Sequence, residues 1–313
     1  MKLLFIGLGS IGKRHFRDTS AELDSRGADY SIDVLRYGST PLEPEIATKI
    51  NRAYTGYDQL EDEYDVVFIA NPSSEHYGTL QKINSFAKAF FIEKPVFTDL
   101  DADISKLGLS QDKVYYVACP LRFSPVIIKL KELLVAQKPS AVRAICSSYL
   151  PEWRKGTDYR DSYSADIKKG GGVRLDLIHE WDYLSDLFGT PLSVKSYGGH
   201  YSKLEIQSED TAVYIAEYSD MLLTLQLDYT GRVSRREIEL FCERDTIIAD
   251  ILKNKICFLK QNKSEYLTPE DIHRAEISWF FDLLEGKTKN NNPIEHAVKT
   301  LHLALEQGDG TNE

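Results

Sequence analysis

The sequence predicts an α/β protein with two domains: a doubly wound parallel sheet, followed by an α+β domain with a large, mostly antiparallel open sheet. Short apolar runs alternate with helical stretches over the first 118 residues, which is typical of βαβ units. Alternating and β-branched segments dominate the later part of the chain. At roughly 100–200 residues per domain, 313 residues favour two domains, which we place at 1–119 and 120–313.

Five strands are predicted in the first domain. The run at 66–70 is continuously apolar, as expected for a parallel strand that helices cover on both faces. The five segments are Lys2 to Ile6, Ser31 to Arg36, Asp65 to Ala70, Ala89 to Ile92 and Val114 to Ala118.

The second domain opens with a helix, because Ser124 and Pro125 supply a cap and a first-turn proline before apolar residues at helical spacing. Two further helices are predicted at the end of the domain, Ile272 to Leu284 and Ile294 to Leu305. Six strands are predicted between the first helix and these last two: Ser193 to Tyr201, Ala212 to Tyr218, Leu222 to Tyr229, Glu237 to Cys242, Thr246 to Ile251 and Lys255 to Leu259.

Charge and composition exclude several classes of protein. Acidic residues outnumber basic ones by 48 to 38 and no basic patch interrupts this surplus, so no nucleic-acid partner is expected. No apolar run approaches the roughly 18 residues of a membrane-spanning helix, so no membrane partner is expected either. The four cysteines are far apart and lack zinc-ligand spacing, which predicts reduced thiols and no bound metal. Glycine and charge interrupt the apolar start of the chain between Gly7 and Arg14, before the apolar region of a signal peptide is complete, so a cytoplasmic location is expected.

A G-x-G-x-x-G element follows the first predicted strand and opens a predicted helix. Backbone N–H groups at such a helix start, aided by the helix dipole, bind the pyrophosphate of a dinucleotide. We therefore predict cofactor contacts at Gly7, Gly9, Ser10, Ile11 and Gly12.

The second strand ends in Arg36, where an NAD site usually has a carboxylate for the ribose 2′-hydroxyl. The Arg36 guanidinium, with the Ser39 hydroxyl nearby, suits a 2′-phosphate, so NADP is the preferred cofactor. In the alternative, Arg36 stacks on the adenine and both NADP and NAD bind.

Two further strands run into polar loops at the carboxyl edge of the sheet, where open α/β sheets bind ligands. The first loop supplies predicted cofactor contacts at Asn71, Pro72, Ser73 and His76, and the second supplies Glu93 and Lys94, followed by Pro95.

These loops, the glycine element and the segment from Gly170 to His179 resemble the glucose-fructose oxidoreductase, inositol dehydrogenase and rhizopine catabolism (Gfo/Idh/MocA) family. The resemblance covers nearly the whole chain. It implies a Rossmann domain and a C-terminal domain whose open sheet faces the cofactor cleft and mediates a homo-oligomer, a dimer or tetramer. It also implies that Lys94, Asp176 and His179 are catalytic.

The chain departs from the family at two places. The family usually spaces aspartate and histidine as D-x-x-x-H, whereas Asp176 and His179 are three apart, and Pro120 stands where many relatives have asparagine. On one helix, Asp176, His179 and Tyr183 would share a polar face. The opposite, core-facing stripe would consist of Leu177, Trp181, Leu184 and Phe188.

The chemistry of hydride transfer explains these residue types. The substrate hydroxyl must lose or gain a proton, and an imidazole such as His179 titrates near neutral pH. Asp176 would orient or charge-stabilise it, and the Lys94 ammonium would stabilise an alkoxide or serve as the base. The division of roles between His179 and Lys94 stays open.

The segment from Tyr149 to Tyr163 alternates aromatic residues with arginines. Aromatic faces stack on sugar rings and arginines bind carboxylates or phosphates, so the segment suits a sugar or nucleotide sugar; the alternative is a solvated loop. Its pattern resembles a family branch associated with bacterial surface-sugar synthesis. Predicted substrate contacts are Arg122, Trp153, Arg154, Tyr159, Arg160, Tyr163 and Tyr183.

The function predicted from the sequence is hydride transfer between a nicotinamide dinucleotide and a carbon of a sugar, nucleotide sugar or polyol. A non-catalytic dinucleotide-binding sensor on the same scaffold is the alternative, since fold alone does not determine function. Within the enzyme class, an oxidoreductase that retains its cofactor between half-reactions is a further alternative.

Overall fold

The computed structural model describes residues 1–38, 40–60 and 63–306, which form two compact units. The first unit comprises Met1–Pro120 and Asp271–Lys299, and the second comprises Leu121–Glu270 and the chain from Thr300 onward. None of the described helices is both long and apolar enough to span a bilayer.

The first unit contains a six-stranded parallel sheet in the order β3-β2-β1-β4-β5-β6. Its strands are β1 (Lys2–Ile6), β2 (Ser31–Leu35), β3 (Ile50–Tyr54), β4 (Tyr64–Ile69), β5 (Ala87–Ile92) and β6 (Val114–Val117). Its helices up to this point are α1 (Ser10–Ser25), α2 (Pro44–Ala47) and α3 (His76–Ile83). This topology confirms the predicted doubly wound class.

The second unit contains an eight-stranded sheet in the order β14-β13-β12-β11-β7-β10-β9-β8, in which only the β7–β10 pairing is parallel. Its helices are α4 (Pro125–Leu134), α5 (Val173–Asp176) and α6 (His179–Phe188). Its strands are β7 (Pro139–Tyr149), β8 (Ser193–Gly199), β9 (Thr211–Glu217), β10 (Leu222–Asp228), β11 (Thr230–Cys242), β12 (Thr246–Asp250), β13 (Lys255–Phe258) and β14 (Lys263–Tyr266). The predicted mostly antiparallel sheet is thus confirmed.

The last two helices, α7 (Ile272–Leu284) and α8 (Ile294–Leu305), correct the predicted second domain of 120–313. Residues 271–299 belong to the first unit. The boundary between the two units therefore falls inside α8, after residue 299. The physical reason why α7 belongs to the first unit is a row of stacked aromatic rings across β1, β4 and β5. Phe5 stacks on Phe68 at 4.3 Å between ring centroids, and Phe68 stacks on Phe91 at 5.1 Å. Phe280 of α7 packs edge-on against Phe91 at 5.2 Å between ring centroids and so covers this row of rings.

Candidate active site

The glycine loop lies at the carboxyl end of β1 and packs tightly against the end of β4. Gly7 has φ +88°, and a Cβ there would lie 2.6 Å from both Ala70 O and Asn71 N. A Cβ on Gly12 would clash with the carbonyl oxygen of Gly7. The chain's own packing therefore requires glycine at both positions.

Gly9 is different, because a Cβ there would have no atom of the described chain within 4 Å. Gly9 and Ser10 are exposed and Ile11 is half-buried. Gly9 is the N-cap of the 16-residue α1, and no described side chain caps this helix start or places an acidic group in its first turn. Open space in front of uncapped N–H groups and the positive end of a long helix fits a dinucleotide pyrophosphate.

Arg36 follows β2 directly beside this loop, since the N–H of Gly7 donates to Leu35 O at 3.0 Å. The Arg36 side chain is half-buried, and its Nη2 donates to Thr40 O at 2.5 Å. Ser39 lies outside the described residues, so its role stays a prediction. The guanidinium is thus at the strand end where an adenosine ribose lies in dinucleotide-binding sheets.

Asn71 lies at the end of β4, where its Nδ2 donates to Glu75 and Thr79 at 3.0 and 2.9 Å. Its Oδ1 is buried and has no hydrogen-bond partner within the described chain. A buried carbonyl oxygen of this kind is a candidate acceptor for a ligand. Pro72 is exposed and Ser73 is half-buried, so both are accessible beside Asn71.

His76 is fully buried, which corrects its prediction as a cofactor contact. Its Nδ1 lies 3.1 Å from Pro95 O and 3.2 Å from Val96 O, and its Nε2 lies 3.1 Å from Asn71 O. Burial lowers the pKa of His76 and thereby favours the neutral ring. The side chain joins two backbone loops and has no surface left for a ligand.

Glu93 is also buried, and its carboxylate faces inward, which likewise corrects its prediction as a cofactor contact. One oxygen pairs with Nε2 of His15, and the other accepts the N–H of Lys94 at 3.1 Å. Burial opposes ionisation of Glu93, but the His15 hydrogen bond and nearby positive charges outweigh it and lower the pKa of the carboxyl. Lys94 itself is half-buried and precedes a cis peptide bond to Pro95.

His15 is a residue that the sequence analysis missed. It has no exposed surface and lies on the buried side of α1, next to Phe16 and one turn before Thr19. A histidine within an otherwise buried helix stripe was the available signal, because a buried imidazole needs a polar partner.

In the second unit, Asp176 and His179 do not share one helix, which corrects the predicted polar face. Asp176 ends α5 and His179 begins α6, and between them the N–H of Ile178 donates to Leu175 O and that of Glu180 to Leu177 O. These i to i−3 bonds tighten the backbone and rotate the side chains that follow.

Tyr183 is consequently fully buried, and burial raises its pKa well above its usual value. Its prediction as a substrate contact is therefore wrong. Within the predicted core stripe, Leu177, Trp181 and Leu184 are buried, whereas Phe188 is half-buried.

Asp176 and His179 remain half-buried, and Asp176 accepts a 2.7 Å hydrogen bond from the hydroxyl of Tyr229. Burial, reinforced by the Asp176 charge, raises the pKa of Tyr229 well above its usual value, so the phenol stays protonated and donates. Tyr229 was missed because it comes from β10's end, 53 residues away in sequence. Lys94 belongs to the first unit and Asp176 and His179 to the second.

The triple glycine allows the aromatic loop to lie against the start of α5. A Cβ on Gly171 would lie 2.7 Å from Ser164 O and 2.9 Å from Asp166 O, and Gly172 has φ +116°. Tyr163 contributes to the same packing, because its hydroxyl donates to Gly170 O at 2.6 Å. Glycine is therefore required here by close backbone approach.

Trp153, Arg154 and Tyr159 line one small cavity of the second unit. The Trp153 ring packs edge-on against Tyr229 at 5.2 Å, so the aromatic loop and Asp176 contact the same tyrosine. Arg160 is instead paired with Asp158 and Glu205, both at 2.6 Å, which neutralises its charge.

Arg122 is not available to a substrate, which corrects its prediction. Its side chain is 1% exposed and makes a bidentate pair with Asp182 at 2.7 and 2.9 Å, with Asp186 at 3.3 Å. This fork fixes α6 to the segment that precedes α4.

Comparison with known proteins identifies what both parts of the chain resemble. The oxidoreductase family model GFO/IDH/MocA, with its NAD-binding Rossmann fold, matches residues 1–112, and the GFO/IDH/MocA C-terminal domain matches residues 127–248. Inositol 2-dehydrogenase of Rhizobium meliloti (strain 1021) is 26% identical over 195 residues, 60% of this chain. The match spans only 56% of that protein's length.

Solved structures share the fold at low identity. UDP-N-acetylglucosamine 3-dehydrogenase of Acidithiobacillus ferrooxidans has a TM-score of 0.79 at 22% identity, covering 98% of this chain and 96% of that one. The WlbA dehydrogenase of Bordetella pertussis, in complex with NADH and UDP-GlcNAcA, has a TM-score of 0.77 at 17% identity, covering 97% and 94%. Because both domain models match and together span well over half of the sequence, the chain belongs to the GFO/IDH/MocA oxidoreductase family.

Proposed function

We propose that the protein transfers a hydride between NADP(H) or NAD(H) and an alcohol carbon of a sugar or nucleotide sugar. The observation that carries this proposal is the start of α1, where open space at Gly9 faces uncapped backbone N–H groups. The family's oxidoreductase chemistry supports the same reaction class. We place this activity in the cytoplasm, where nicotinamide dinucleotides are abundant.

The chain would hold the dinucleotide by its backbone at Gly9, Ser10 and Ile11 and by the Arg36 side chain. The bound nicotinamide supplies the hydride acceptor or donor. We propose that His179 takes or returns the proton of the substrate hydroxyl, and that Lys94 is a cation that stabilises negative charge in the reaction or serves as the base. Asp176, fixed by Tyr229, stabilises the positive charge of the proton-carrying group.

The exposed side chains of the aromatic loop, rather than any preformed cavity, support a sugar-like substrate. The Trp153 indole is 38% exposed and offers an apolar face for a sugar ring, and Arg154 is an exposed cation suited to a carboxylate or phosphate. Two structural neighbours carry names or ligands of the nucleotide-sugar class, which favours that class over a simple polyol.

Turnover tests the proposed reaction. We expect NADP⁺ or NAD⁺ to be reduced with at least one member of a panel of UDP-hexoses, UDP-hexuronic acids, free hexoses and inositol. His179→Ala should lower kcat by roughly 10²–10⁴-fold with little change in cofactor affinity. Nicotinamide absorbance measures cofactor reduction in the panel and kcat of the variant.

The exposed His302 provides the matched control, and His302→Ala should leave kcat unchanged. Equal kcat in His179→Ala and the wild type would remove His179 from the mechanism. A protein that binds dinucleotide but turns over nothing in the panel would favour the non-catalytic alternative.

We also propose a preference for NADP over NAD, because Arg36 stands at the end of β2. Arg36→Ala should weaken NADPH binding by about tenfold or more, since a charge-assisted hydrogen bond contributes roughly 1.5–3 kcal/mol. The affinity of Arg36→Ala for NADH should change little. In the control Arg17→Ala, which alters an exposed arginine of α1, the affinities for NADPH and NADH should both stay unchanged. Fluorescence titration decides, and tighter NADH binding by the wild type would contradict this preference.

The outer face of the eight-stranded sheet supports a homo-oligomer, which we propose to be a dimer or tetramer. Tyr197, Val213, Ile215 and Leu222 expose 73%, 39%, 48% and 49% of their surfaces on neighbouring strands β8, β9 and β10. Exposed apolar side chains on adjacent strands are typical of a protein interface. Light scattering should give a multiple of 35.6 kDa that Ile215→Glu reduces; a wild-type monomer would contradict it.

A further inference from the structure

We propose that two buried histidines, His15 and His76, are positioning residues that hold the Lys94 segment, residues 93–96, from its two sides. The inference rests on the proposed function in one respect, since that function gives Lys94 a reaction to be positioned for. All the groups involved belong to the first unit.

His15 holds the amino-terminal side of the segment through Glu93. The imidazole Nε2 pairs with one carboxylate oxygen, and the other oxygen accepts the backbone N–H of Lys94 at 3.1 Å. His15 has no exposed surface and Glu93 is 8% exposed, so water offers no substitute for either partner. Both oxygens of the carboxylate are thereby committed to fixing the Lys94 backbone.

His76 holds the carboxyl-terminal side of the segment. Its Nδ1 lies within 3.2 Å of the carbonyl oxygens of both Pro95 and Val96, and its Nε2 lies 3.1 Å from Asn71 O. His76 is fully buried, and it is the first residue of α3. A neutral ring has one N–H, so in one tautomer Nδ1 donates to the carbonyl oxygens of the segment, and in this tautomer His76 holds the segment directly.

The two histidines connect the Lys94 segment to the elements proposed to hold the cofactor. His15 lies on α1, the helix that starts at the glycine loop, and His76 contacts the loop that contains Asn71. A shift of either element would therefore move the Lys94 backbone with it. Small displacements of a reacting group have large effects on rate, which is the physical reason for such bracing.

The test compares His76→Leu and the double variant His15→Leu/Glu93→Gln, which leaves no unpaired buried charge. The matched control is Tyr64→Phe, which removes a buried hydrogen bond to Asp33 at the opposite end of β4. Hydrogen exchange of the full-length protein should become about tenfold faster in the peptide covering residues 93–97 and stay unchanged in β1 and β4. Tyr64→Phe should leave the 93–97 peptide unchanged.

Kinetics with the substrate found in the panel supply the second readout. Both variants should lower kcat by about tenfold or more with KM and NADPH affinity nearly unchanged, because the Lys94 segment is displaced rather than removed. His76→Gln and His15→Gln retain an N–H donor and should recover part of the rate. They also serve where a leucine variant does not fold.

Three outcomes would overturn the proposal: wild-type exchange at residues 93–97, an equal rise of exchange in every peptide, or local loosening without loss of kcat. If the protein turns over no sugar, the exchange data still decide whether the histidines hold the segment. Turnover with unaltered exchange in the variants would reject the positioning role and leave the proposed function standing.

Discussion

The close backbone approach between Gly7 and the end of β4 is the constraint on which the candidate site depends. It places the start of α1 at the carboxyl edge of the sheet, where Leu35 O also accepts the Gly7 N–H. Gly9, Arg36 and Asn71 are consequently gathered at one edge of the sheet. The same helix then carries His15 into the core, so the loop and the Lys94 segment share one rigid support.

Close backbone contact at a glycine also organises the candidate residues of the second unit. Gly171 permits the backbone around Ser164 and Asp166 to lie against the start of α5, and this packing fixes the aromatic loop beside Asp176. Tyr229 joins the two, since its ring packs against Trp153 and its hydroxyl binds Asp176. In both units, therefore, glycines that tolerate close backbone contact bring functional side chains to loops anchored on a rigid sheet.

Sequence patterns predicted what local rules determine and failed where tertiary packing decides. The buried parallel strands are continuous apolar runs, but β3 was missed because most of its side chains are exposed at the sheet edge. The pattern of α7 shows an amphipathic helix without showing that Phe280 packs on the first unit. A helical pattern in the sequence does not show the tight turn after Asp176, which is why Tyr183 was expected on the polar face. Arg122 was not recognised as a buried ion-pair partner because Asp182 is 60 residues away in the sequence.

Binding of a dinucleotide at the start of α1 is the central claim, and Gly9 allows the most direct measurement. A Cβ there meets nothing in the described chain and φ is −68°, so Gly9→Val should fold like the wild type. Gly78→Val, another glycine with an open Cβ position, is the control. Fluorescence titration should show that Gly9→Val loses NADH and NADPH binding while Gly78→Val retains it; wild-type affinity in a folded Gly9→Val protein would contradict the account.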